Sequence, residues 1–182
     1  MSKQIEQNRY LLRIKCDTPE IRKYYESHST FHEGDSGLDL FIHENETFDN
    51  GQTRLVNLGI KCEMIDRERS INTTNTTKYA SYYMYARSSI SKSNFMLHNG
   101  VGIIDSGYRG NLMAALRFVP FEMKQRLRHI IHHEDYYKVL KGQRLVQICA
   151  PNLDTFDVEF LTEDEELSKT SRGEGGFGST GK

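Results

Sequence analysis

The chain is poor in apolar residues. They make up 37% of its 182 positions, while charged residues reach 27%. Globular domains are usually richer in apolar side chains, so a layered domain that completes its core against partner subunits fits better than a large solitary globule. Net charge is nearly missing too, because 24 Lys and Arg offset 25 Asp and Glu. No global field therefore draws the chain to nucleic acid or membrane, and a small anion would have to be held by local donors. Long apolar runs are absent, which excludes a spanning helix. The polar stretch Met1 to Tyr10 lacks the apolar core of a signal peptide. Cysteines are few, odd in number and scattered at Cys16, Cys62 and Cys149, which suits neither a zinc pattern nor a disulfide framework. Asn45-Glu46-Thr47, Asn72-Thr73-Thr74 and Asn75-Thr76-Thr77 match the glycosylation pattern, but without secretion they mark only polar loops. The expectation is an intracellular protein of cytoplasm or nucleus, not secreted.

Helical periodicity is also scarce. Short strand-like runs separated by turn residues cover Arg9 to Lys15, Thr53 to Met64, Tyr79 to Ala86, Leu97 to Ile104, Leu112 to Val119, Tyr137 to Ala150 and Thr155 to Leu161. One helix is predicted over Pro19 to Ser27, with Thr18 as N-cap and Pro19 in its first turn. This pattern predicts an all-β domain, a jelly-roll-like distorted β-barrel over residues 1–161. From Thr162 onward apolar residues almost vanish, and residues 162–182 read as a flexible C-terminal arm. Two stretches look inserted: a polar loop, Asp66 to Thr77, and Glu122 to Asp135, with His129, His132 and His133 close together. Histidines at such spacing share a helix face and could bind metal, but no carboxylate or cysteine completes the set, so a solvated excursion is the reading adopted.

Five segments carry chemistry. The arm contains Arg172-Gly173-Glu174-Gly175-Gly176-Phe177-Gly178-Ser179-Thr180-Gly181. Its G-x-G-x-x-G spacing is a decoy, since a dinucleotide site needs a strand before it and a helix after it. Glycine amides can nevertheless cradle an anion, arginine adds a bidentate phosphate clamp, and Phe177 offers a face to a base. Arg87-Ser88-Ser89 supplies charged and neutral donors at a strand end. Asn99 to Gly110 reads as a tight β-hairpin turning at Ser106-Gly107, with Asn99 and Gly100 across from Met113 and Ala114. Gly100 and Gly102 there permit close approach of a ligand. Gly37-Leu38-Asp39-Leu40 places one aspartate among apolar neighbours, and Gly142 to Ile148 opens a strand containing Gln147.

Taken in order, G-L-D-L, A-R-S-S, G-I-I-D-S-G-Y-R-G, G-Q-R-L-V-Q-I and R-G-E-G-G-F-G-S-T-G resemble the five motifs of the trimeric dUTPase family, across nearly the whole chain. Gly107 departs from the acidic residue that many members carry there. The resemblance implies a homotrimer with shared active sites that hydrolyses dUTP to dUMP and pyrophosphate with Mg2+. It implies that Asp105 activates the attacking water as general base. Tyr108 would pack beneath the deoxyribose, and Asn99, Ile103, Ile104 and Met113 would read the uracil edge. Arg87, Ser88, Ser89 and Gln147 would hold phosphates, and Asp39 would grip water on the metal. Phe177 would cover the base, while Arg172, Gly178, Ser179 and Thr180 close over the phosphates from an arm contributed across an interface. Arg109 and Arg144 are left open between ion-pair partners and substrate contacts. The alternatives are a dCTP deaminase-like enzyme, against which Ala115 stands where a proton-shuttling glutamate is needed, and a non-catalytic nucleotide-binding relative.

Overall fold

The computed structural model describes residues 7–27, 34–72, 76–119 and 138–176. Two sheets enclose one core. The larger contains β1 (Tyr10–Cys16), β4 (Thr53–Asp66), β5 (Tyr79–Ala80), β7 (Phe95–Leu97), β9 (Asn111–Phe118) and β12 (Phe156–Phe160), ordered β12-β1-β4-β9-β7 with β5 also on β4. The smaller contains β2 (Gly37–Phe41), β6 (Tyr82–Ala86), β8 (Val101–Ile104) and β11 (Arg144–Cys149), ordered β2-β11-β6-β8. A two-stranded pair, β3 (Glu46–Thr47) and β10 (Lys138–Val139), completes the set. All pairings are antiparallel except that of β1 with β12. Leu12, Ile14, Leu58, Ile60 and Phe118 from one sheet share a continuous buried core with Leu40, Tyr82, Met84, Val146 and Ile148 from the other. The result is the expected jelly-roll-like, distorted and unclosed barrel.

The helix α1 (Pro19–Ser27) forms where the sequence places it. The Thr18 hydroxyl accepts the Ile21 amide at 3.3 Å, and the apolar face buries Ile21 and Tyr25. Tyr25 meets Phe41 edge-on, at 5.0 Å between ring centres. Beneath α1, Gly59 has φ +66 and sits where the pairing of β4 with β9 shifts register.

Several expectations need correction. The tyrosine-rich run is two strands, because the chain leaves the larger sheet after β5 and enters the smaller at β6. Leu97 to Ile104 is likewise split, with β7 and β8 in different sheets and Gly100, φ +70, at the corner. The supposed hairpin is therefore a tight turn between strands that never pair: Tyr108 N–H donates to the Asp105 carbonyl at 2.9 Å, but β8 pairs with β6 and β9 pairs with β4 and β7. Met113 and Ala114 face Asn57 and Val56 rather than Asn99 and Gly100. The long partner strand β4 takes the ladder that a local hairpin would have used. Within the first insertion, Arg67–Ile71 forms a short helix α2, capped by the Asp66 carboxylate accepting from Arg69 N–H at 3.1 Å. The histidine-rich insertion lies outside the described residues.

A Cβ at Gly59 would lie 2.4 Å from Ile21 Cδ1, and its φ disfavours any L side chain. Gly59→Ala is expected to lower unfolding free energy by about 1–3 kcal/mol, measured by urea denaturation; an unchanged midpoint would contradict this account.

Candidate active site

The turn Asp105 to Tyr108 opens onto a cavity of about 170 Å³. Met84, Gly102, Ile104 and Leu112 line it, with Asn99, Ile103 and Met113. Gly102 lets the backbone approach Met84, since a Cβ there would come within 3.1 Å of Met84 Cβ. Asp105 is the only carboxylate among the described lining residues. It is half-exposed and pairs with Arg172 Nη1 at 2.6 Å. Tyr108 borders the same cavity and donates its hydroxyl to the Asn111 carbonyl at 2.8 Å. Burial, then the nearby Glu174 charge, pushes the phenol above its ordinary pKa, which keeps this donor protonated. Thus Asn99, Ile103, Ile104, Asp105, Tyr108, Met113 and Arg172 do converge. Asn99 and Met113 meet across a cavity instead of across a ladder.

A second cleft, of about 680 Å³, collects Arg87, Gln147, Asp39 and Arg144. Arg87 follows β6 directly, and its N–H donates to the Leu145 carbonyl at 2.9 Å, fixing the strand end. Ser88 and Ser89 then open a short 3-10 turn, Ser88–Lys92. Asp39 is nearly buried and lies between two guanidiniums, with Oδ1 2.5 Å from Arg87 Nε and Oδ2 3.1 Å from Arg144 Nη1. Arg87 also donates to Ser89 Oγ at 3.0 Å and to the Arg144 carbonyl at 2.9 Å. Asp39 therefore aims two cationic donors into the cleft. Arg144, left open above, is an ion-pair partner that also lines the cleft. Gln147 donates to the Ala86 carbonyl at 3.3 Å. The two clefts share no lining residue.

The arm reaches the first cavity from its own chain. After Leu161, whose N–H donates to the Ile14 carbonyl at 2.9 Å, Lys15 donates to the Glu165 carbonyl at 2.7 Å. Thr170 Oγ1 then donates to the Gly107 carbonyl at 2.5 Å, and Arg109 N–H donates to the Gly173 carbonyl at 2.7 Å. Lys61 meets Glu174 at 2.5 Å, which lowers the Glu174 pKa and raises that of Lys61. Through Gly176 the described part of the arm follows the turn of its own chain. Phe177, Gly178, Ser179 and Thr180 lie outside the described residues. Arg109, the other arginine left open, is buried and structural: it pairs with Glu63 at 3.2 Å and stacks over Tyr79 at 4.9 Å. Glu63, Ser168, Thr170 and Met84 were not singled out from sequence. An acid at position 63 within an apolar strand was the available signal for the first.

A two-sheet fold with a carboxylate beside a small cavity of mixed polar and apolar lining, and with converging arginines in a second cleft, suits an anionic ligand that carries a compact apolar or aromatic part. The comparisons identify the class further. No family model matches the chain. The deoxyuridine 5'-triphosphate nucleotidohydrolase of Alkaliphilus metalliredigens is 32% identical over 151 residues, spanning 82% of this chain and 85% of that protein. That of Clostridium acetobutylicum gives the same identity and coverage. The chain belongs to the deoxyuridine triphosphate nucleotidohydrolase (dUTPase) family. Among solved structures, a mutant dUTPase of Staphylococcus bacteriophage 80alpha with dUpNHpp superposes with a TM-score of 0.55 at 20% identity, covering 93% of this chain and 98% of the other. A mutant dUTPase from phage phi11 of S. aureus, described with a structural Mg(II) ion, reaches 0.52 at 16% identity, covering 86% and 99%. Both likenesses support the fold.

The Tyr108 ring is confined by glycines. A Cβ at Gly110 would fall 2.5 Å from the Tyr108 hydroxyl, whereas one at Gly107 would meet nothing closer than 3.6 Å. Gly110→Ala should cost about 1–3 kcal/mol by overpacking, while Gly107→Ala should leave the urea midpoint unchanged. Equal midpoints for the two variants would refute the confinement.

Proposed function

We propose that the chain hydrolyses dUTP to dUMP and pyrophosphate by attack of water on the α-phosphorus, keeping uracil out of DNA and supplying dUMP for dTMP synthesis. The observation that carries this reading is Asp105, the one carboxylate among the described lining residues, at a small cavity edged by backbone and by Tyr108. The base would enter between the Asn99 corner and Met113, where backbone groups of Ile103 and Ile104 can meet its edge. Tyr108 would lie under the deoxyribose. Asp105 would orient the water and take its proton; such general-base assistance is worth roughly 10²–10⁴ in rate. Before it can act, Asp105 must be released by Arg172, and an incoming polyphosphate offers that guanidinium a stronger anion.

Of the proposed phosphate donors, Arg87 and Gln147 line the other cleft, with Ser88 and Ser89 following Arg87 directly in the chain, and that cleft holds no part of the Asp105 cavity. A site completed between copies answers that separation, and a homotrimer with shared sites is the assembly we infer. Phe177, Gly178, Ser179 and Thr180 would close over base and phosphates from the end of the arm, so that residues 162–182 act as a lid.

The donors present suit Mg2+ that arrives on the triphosphate. Among the described residues no group of three His, Cys, Asp or Glu could hold an ion, and both Asp39 oxygens are on arginines. Bound to the phosphates, the ion neutralises charge on the group under attack. Asp39 would reach its water shell only by giving up one arginine, and its part in the resting chain is to orient Arg87 and Arg144.

Pyrophosphate release should be seen with dUTP and Mg2+ and be far weaker with dTTP, dCTP or UTP. Asp105→Asn should abolish it while dUTP still binds; near-normal turnover would remove Asp105 as base. Deleting residues 172–182 should remove most activity and leave fold and assembly intact, and a truncated chain with full turnover would dismiss the lid.

A further inference from the structure

Glu63 is wholly buried on β4, on the strand face opposite the core. Three elements converge on it. Arg13, directly across on β1, donates to Oε1 at 2.9 Å. Arg109, next to the catalytic turn, lies 3.2 Å from Oε2. Ser168, in the arm, donates to Oε2 through both its amide, at 3.0 Å, and its hydroxyl, at 2.6 Å. The same hydroxyl accepts from Arg109 Nη2 at 2.9 Å. Arg109 Nη1 in turn donates to the carbonyls of Ser106 and Tyr108, each at 2.8 Å, and so grips the turn that presents Asp105. We propose that Ser168, seated between Glu63 and Arg109, anchors the root of the arm to the Asp105 turn, making Ser168, Glu63 and Arg109 positioning residues for the reaction.

Buried charge has to be satisfied on both sides of this contact. An ionised carboxylate without water must be met by donors, and a buried guanidinium must be met by acceptors. Neither set is complete without Ser168. Seating the arm root is thus coupled to ordering the turn, through the shared hydroxyl and through the Ser168 carbonyl, which accepts from Arg109 Nε at 3.1 Å. Once Ser168 is seated, only three residues separate it from Arg172, which keeps that guanidinium within reach of Asp105 and of the phosphates. Turn and arm then move as one unit toward the nucleotide. This inference assumes the hydrolysis proposed above for its kinetic readout but not for its structural one.

The test uses the full-length chain. Ser168→Ala should speed tryptic cleavage after Lys169 and Arg172 about ten-fold, since cleavage follows the population of the detached arm. It should lower kcat for dUTP about ten-fold as Asp105 loses its geometry, with KM changing less than kcat. Ser168→Thr, which keeps the hydroxyl, should restore both. Glu63→Gln should resemble Ser168→Ala, and the double variant should be no worse than either alone. Wild-type cleavage and kcat in Ser168→Ala, or a Thr variant as impaired as the Ala variant, would overturn the anchor. If Glu63→Gln fails to fold, the Ser168 pair decides alone. Absence of dUTP turnover in the parent chain would instead refute the hydrolytic reading, while the cleavage rates would still judge the anchor.

Discussion

A carboxylate with no access to water has to be neutralised by its neighbours, and at Glu63 those neighbours come from every part of the chain. Arg13 faces it from β1, and Arg13 also pairs with Glu159, its opposite residue on β12, at 3.0 Å. Arg109 continues the row on the other side. The outer face of the larger sheet therefore carries alternating charges, Glu159, Arg13, Glu63, Arg109, across three strands and into the turn that presents Asp105. Removing one partner of such a buried set typically costs about 3–5 kcal/mol. The row fixes register, since a one-residue slip would turn Glu63 into the core.

The cleft lined by Arg87 and Arg144 uses the same principle at lower burial. Asp39 holds Arg87 and Arg144 side by side, so that two like charges are stable together and both guanidiniums keep free donor edges. Asp105 is placed differently. It is half-exposed and meets a single arginine, Arg172, from the C-terminal arm. Surface pairs of this kind are weak. Asp39 and Glu63 are thus committed to structure, while Asp105 can exchange its partner.

Much of this was legible in residue order. Thr18 and Pro19 announced α1, and β-branched and aromatic runs located β1, β4, β9 and β12 to within about two residues. The corners were not legible, because Tyr79 to Ala86 and Leu97 to Ile104 read as continuous strands although each crosses from one sheet to the other. Nothing local distinguishes a corner from a hairpin when both use Ser106-Gly107. The helix α2 has five residues, too few for a period, and depends on the Asp66 cap. Five ordered motifs located Asp105, Tyr108, Arg87 and Gln147. They did not separate the two clefts, which depend on sheet membership, and they passed over Glu63 and Ser168, whose meeting spans 105 positions.

The parallel pairing of β1 with β12 has a consequence for biosynthesis. Arg13 and Glu159 are 146 positions apart, so β1 leaves the ribosome long before its partner β12. Contacts of such sequence separation form slowly. Until β12 arrives, β1 presents an open edge of the kind that templates association with other chains. The charges along its outer face, Arg13 and Lys15, guard that edge during translation, before they acquire their acidic partners.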